Sequence, residues 1–138
     1  MPLRPWIGSE PVQVTDIGST LETARRERKI IQVPVAGGVR VPDGLYWIPQ
    51  AFVANINDIG AGASGEFGIL ERDTQQYFWY TVFTGTSCFC ALGIDTRTVA
   101  PLAYIAMPQW IMKGGDVWDY TNNTGVFQFA YLVVDEIA

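Results

Sequence analysis

Apolar residues along the chain alternate with polar ones in short runs, and glycine, proline and Asp/Asn punctuate the runs. From residue 30 onward the β-branched and aromatic types gather at 30–35, 44–48, 51–56, 65–70, 76–84, 87–94, 99–107, 110–112 and 125–137. Turn residues return every 8–14 positions or so, the spacing of a small β-sandwich or barrel. No helical period is found after residue 30. The runs 77–83 and 127–134 are nearly all apolar, so both of their faces need cover, which in a small domain can come from another subunit. Within the first, Tyr77, Trp79 and Phe83 are expected on one face and Phe78, Tyr80 and Val82 on the other.

The first 30 residues read differently. Three prolines and two glycines break up residues 1–18, which predicts an extended arm with at most one short strand, over 12–17. Ser19-Thr20-Leu21-Glu22 has the form of a capping box, and a helix of two to three turns is expected over 19–29. It has almost no apolar face, so it must dock on a neighbour to be stable. The expected organisation is an arm over 1–30 and a single β-domain over 31–138. The fold class is mainly β, a compact barrel or sandwich with an extended N-terminal arm and at most one short helix.

The 138 residues suffice for one domain, and 49% hydrophobic content with 17% charge excludes a disordered chain. Histidine is absent, which removes the commonest general base, the commonest zinc ligand and every Ser-His or Cys-His pair. The net charge of −5 is unevenly spread. Residues 1–40 carry six bases against four acids, and residues 41–138 three bases against ten acids. An acidic body argues against a nucleic-acid partner. No secretory signal and no stretch of about 18 apolar residues is read from the chain, so neither export nor a membrane partner is expected. Cys88 and Cys90 are poorly placed for a bridge to each other and are read as reduced, partly buried hydrophobes.

Several motifs invite chemistry and are better read as structure. Asp116, Asp119, Asn122 and Asn123 offer oxygens without the order of a calcium loop and read as a polar hairpin turn, with Gly125 at positive φ. Glu66, Glu71 and Asp73 lack any spacing that demands a glycosidase pair. The Gly60–Gly65 stretch lacks the Gly-Lys-Ser/Thr of a phosphate loop and reads as a turn. No catalytic residue, metal or cofactor is therefore expected, and the chain is read as a non-enzyme. The five tryptophans remain; exposed Trp47, Trp79 or Trp118 would suit either protein contacts or a sugar ring.

Two segments resemble small head-decoration (cement) proteins of tailed bacteriophages. One is Phe52-Val53-Ala54-Asn55-Ile56-Asn57-Asp58-Ile59 with the following Gly60-Ala61-Gly62-Ala63-Ser64-Gly65-Glu66-Phe67. The other is Met112-Lys113-Gly114-Gly115-Asp116-Val117-Trp118-Asp119. Together they cover about 25 of the 138 residues. The segment 72–111 is longer and more aromatic than that pattern, and residues 1–30 have no counterpart in it. The resemblance implies a homo-oligomer, a trimer, that is made in the host cytoplasm and sits on the assembled virion. Its partners would be further copies and the major capsid protein or other virion proteins. On that reading Trp6 and Ile7 are apolar anchors of the arm, and Arg25, Arg26 and Arg28 pair with acidic capsid groups. The alternative is a carbohydrate-binding or adhesin-like module using the exposed tryptophans.

Overall fold

The computed structural model describes residues 26–34 and 37–138. Eleven strands are found there, and no helix: β1 Arg26–Gln32, β2 Val39–Arg40, β3 Tyr46–Asn57, β4 Ser64–Leu70, β5 Tyr77–Thr84, β6 Ser87–Ala91, β7 Arg97–Val99, β8 Leu102–Ala106, β9 Met112–Lys113, β10 Val117–Thr124 and β11 Val126–Ile137. They form two sheets. The larger runs β1-β11-β3-β6-β8-β7, with β9 also on β3, and the smaller runs β2-β10-β4-β5. All pairs are antiparallel except β6 with β8. The sheets pack as an unclosed sandwich, in agreement with the expected fold class.

Each sheet turns one face inward by the two-residue period. Phe52, Ala54 and Ile56 of β3 meet Phe67 and Ile69 of β4, Trp118 and Tyr120 of β10, and Ala130, Leu132 and Val134 of β11. At the centre, Phe52 lies 4.6 Å from Phe67 and 5.3 Å from Trp118, ring centre to ring centre, and Phe67 stacks on Trp118 at 5.6 Å. Cys88 and Cys90 point inward as free thiols from β6. Burial pushes the Cys88 thiol up to about 12, so it is inert as a nucleophile.

Glycines mark the places where the chain crosses between sheets. Gly125, at φ +93, joins β10 of one sheet to β11 of the other; a Cβ there would meet Ile56 Cγ2 at 2.6 Å and Asn57 O at 2.7 Å. Gly85, at φ +126, does the same between β5 and β6, where a Cβ would lie 2.3 Å from Pro101 O.

Four expectations need correction. Residues 26–29 are strand, not helix, because Arg26–Gln32 finds a seven-residue ladder on β11 that a helix without an apolar face cannot match. The boundary expected after residue 30 thus falls inside β1; residues 19–25 and the strand expected at 12–17 lie outside the described residues. The runs 44–48 and 51–56 are one strand, β3. Its register with β11 shifts so that Pro49 faces Val134 and Ala51 faces Val133, and Gln50 is the extra residue of a bulge that accommodates the proline. Of the polar hairpin turn expected over Asp116, Asp119, Asn122 and Asn123, Asp116 does sit in the turn between β9 and β10, but Asp119, Asn122 and Asn123 belong to strand β10; Gly125 turns at positive φ. Finally, Trp47 and Trp118 are 4% and 0% exposed and Trp79 is half-buried, because the space between the sheets takes the largest side chains.

Trp118 is the side chain on which this packing converges, yet its buried Nε1 has no acceptor among the described residues. Trp118→Ala is expected to cost about 3–5 kcal/mol. Trp118→Phe, which keeps a ring and removes the unpaired donor, should cost far less. Urea unfolding measures both, and equal losses would contradict this packing.

Candidate interaction surface

The outward face of the larger sheet carries aligned rows of apolar residues. Its registers align a row across six strands: Gln32, Tyr131, Val53, Phe89, Tyr104 and Arg97. A second row runs Ile30, Val133, Ala51, Ala91 and Ala106, and a third Phe129, Asn55, Ser87, Leu102 and Val99. Arg97 is the one charged residue in these rows, and its guanidinium lies over the Tyr104 ring at 4.7 Å. Phe89 meets Tyr104 edge-on at 6.4 Å, and Phe129 lies 5.6 Å from Tyr131. Ser87 Oγ donates to Asn55 Oδ1 at 2.9 Å, so the polar pair in the third row satisfies itself. Ile30 is 72% exposed, and Val99, Phe129 and Tyr131 are exposed too. A soluble monomer rarely leaves so continuous an apolar face to water.

The charged corner beside this face belongs to β1. Arg28 donates from Nε and Nη2 to the two oxygens of Asp135, at 2.8 and 3.3 Å. Lys29 Nζ sits 2.7 Å from Glu136 Oε1, and Trp47 Nε1 donates to Glu136 Oε2 at 2.9 Å. These contacts, Lys29 first and Trp47 second, hold the Glu136 carboxyl below the usual range. The guanidinium of Arg28, expected to meet a partner's carboxylate, thus meets one of the chain's own. Arg26 starts β1, and Trp6, Ile7 and Arg25 lie outside the described residues.

The acids weighed for chemistry are engaged in holding loops. Asp116 is buried; its Oδ1 accepts Arg72 N and its Oδ2 accepts Lys113 N, both at 3.0 Å, which ties the β4–β5 loop to the β9–β10 turn. Arg72 Nη1 adds a bond to Gly114 O at 2.8 Å. Glu71 takes Lys113 Nζ on one oxygen and the Asp73 and Thr74 amides, at 2.9 and 2.7 Å, on the other. Asp58 Oδ1 accepts the amides of Gly60 and Gly62, at 2.7 and 3.1 Å, organising the glycine-rich turn. Reading along the sequence does not reveal these roles, since Asp116 and Arg72 are 44 residues apart.

A second cluster lies on the outward face of the smaller sheet. A register shift between Ile69 and Leu70 makes Phe78 the extra residue of a bulge, so Tyr77 and Tyr80 lie on the same face rather than on opposite ones. Their rings are 5.2 Å apart; Tyr77 donates its hydroxyl to Asp119 and Tyr80 to Glu66. The hydrogen bond to Asp119 comes first among the causes that push the Tyr77 hydroxyl up to about 12. Phe78, displaced by the bulge, stacks on Trp110 at 3.5 Å. Trp110 in turn lines a shallow cleft of about 490 Å³ with Ile48, Gln109 and Ile111, none of them titratable. Among the described residues no group of three or more acids and cysteines is placed to hold a metal ion.

No protein-family model, curated protein or solved structure matches the chain.

The Glu71 carboxyl is held down to about 2, chiefly by Lys113, from an ordinary value of 4.5. A carboxyl lowered in the folded state contributes stability above its ordinary value, and that contribution is lost as pH falls toward the folded value. Melting temperature is therefore expected to drop between about pH 4.5 and pH 2, and Glu71→Gln should flatten that part of the profile while lowering stability at pH 7. An unchanged profile in the variant would show that Glu71 carries none of the acid sensitivity.

Proposed function

We propose that this chain is a non-enzymatic structural protein of a virion, a decoration or cement subunit that binds and stabilises an assembled phage head. The observation that carries the proposal is the apolar outward face of the larger sheet, which suits a subunit of an assembly. Six strands at about 4.8 Å spacing and three rows of outward residues span about 600 Å² per copy, so two copies hide about 1,200 Å², the lower bound for a specific stable interface. A second copy is the occupant proposed for it. Such a contact would put Tyr131, Phe89 and Tyr104 at its centre, where aromatic side chains contribute most.

The two segments that resemble decoration proteins add support. They fold against each other: Phe52 and Phe67 come from the first, Trp118 from the second, and their rings make the centre of the core. Asp116 of the second segment is the buried loop tie. The shared residues thus serve folding, in keeping with a structural role. The arm supplies the capsid contact in this proposal, with Trp6 and Ile7 as anchors and Arg25 facing acidic groups, and Arg26 adjoins it at the start of β1. The resemblance implies a trimer, whereas a contact between two outward faces gives a pair, and the mass in solution separates the two; in this proposal the chain reaches the virion from the host cytoplasm.

Light scattering on the full chain is expected to give a multiple of 15.3 kDa, and Tyr104→Lys with Tyr131→Lys should lower that mass by breaking the contact between outward faces. A monomeric parent chain would contradict the proposal. A chain beginning at Arg26 keeps every described strand and should retain its circular dichroism while no longer co-sedimenting with phage heads. Retained co-sedimentation would remove the arm from the mechanism.

A further inference from the structure

The ends of the two sheets are not protected alike. Natural sheets blunt an exposed edge with lysine or other charges, proline or short length, because unpaired N–H and C=O groups invite another strand. At one end of the larger sheet, β1 carries Arg26, Glu27, Arg28 and Lys29. At the other, β7 has three residues, one of them Arg97, and is followed by the Ala100–Pro101 bond. The smaller sheet begins with β2, two residues long, with Pro42 just after it. It ends with β5, Tyr-Phe-Trp-Tyr-Thr-Val-Phe-Thr, eight residues without a charge, a proline or a glycine.

The bulge at Phe78 lies near the start of β5 and leaves Trp79–Phe83 in regular register with β4. Outward, Tyr80 is 46% and Val82 53% exposed. Inward, Trp79 and Thr81 are only half-buried, as they would be at a sheet end with no further neighbour among the described residues. We infer that β5 pairs with β5 of a second copy, antiparallel about a two-fold axis at Thr81, to make one continuous sheet of eight strands. In that register Tyr80 sits opposite Val82 of the partner subunit on the outer face, and Trp79 sits opposite Phe83 of the partner subunit on the inner face. Both are pairs of the aromatic and β-branched kind that stabilise antiparallel neighbours. The second copy is the favoured occupant because neither β5 brings a charge to the contact. The nearest outward carboxylates, Glu66 and Asp119, belong to β4 and β10. A two-fold contact also satisfies both edges at once and closes on itself.

This contact uses the other sheet from the one in the proposed function, so the two are separable. In light scattering on the full chain, Val82→Lys is expected to halve the mass found for the parent at the same high concentration. The substitution lies at an outward, exposed position and leaves circular dichroism as it was. Tyr104→Lys with Tyr131→Lys leaves the β5 contact intact, so a paired mass persists in that variant at high concentration. Hydrogen exchange on the unaltered chain gives a second reading that needs no folded variant. Amides of residues 79–84 should slow as concentration rises. An unchanged mass in Val82→Lys, or exchange at 79–84 independent of concentration, would overturn the inference. Concentration-independent protection would instead point to a strand from elsewhere, such as residues 12–17 of the same chain.

Discussion

Two layers of sheet can hide only one face of each. The interior of this sandwich takes Phe52, Phe67, Trp118 and Tyr120 and is filled by them. The strands β3, β6, β8 and β11 nevertheless carry apolar residues on the opposite face, in rows that run across the whole larger sheet. Residues such as Val53, Phe89 and Tyr104 contribute nothing to closing the sandwich, and among the described residues no further layer packs over them. Among the described residues, apolar surface thus exceeds the cover that two sheets provide.

The charged residues bear on the same problem from the other side. Few as they are, they cluster where they hold geometry: Arg28 and Lys29 on Asp135 and Glu136 at the β1 edge, and Lys113, Glu71, Arg72 and Asp116 where two loops meet. The first group guards an edge and the second fixes the turn that leads into β10. Among the described residues, the outward rows of the larger sheet are left to Arg97 alone.

Where alternation and turn residues act locally, the fold was legible: the strands over 65–70, 77–84 and 126–137 are close to expectation. β1 was not, because its ladder to β11 joins residues 99 to 111 positions apart and nothing in Arg26–Lys29 announces it. Pro49 hid the continuity of β3, since a proline that sits beside a bulge looks in sequence like the end of a strand. Tryptophans read as surface platforms turned out to fill the core, because residue type alone does not say which face of a strand a ring occupies. The apolar runs at 77–83 and 127–134 signal strands with apolar residues on both faces. Which sheet face and which edge those residues form depends on strand order, which emerges only when distant segments pair.

Hydroxyl-radical labelling across a dilution series reads the outward side chains themselves in the unaltered chain. Oxidation of Tyr131, Phe89 and Tyr104 should be suppressed at high concentration and rise on dilution, while Ile59, exposed on a loop, stays equally reactive throughout. Equal oxidation of the three rings at every concentration would mean that the face stands open to water, and the assembly account would fail.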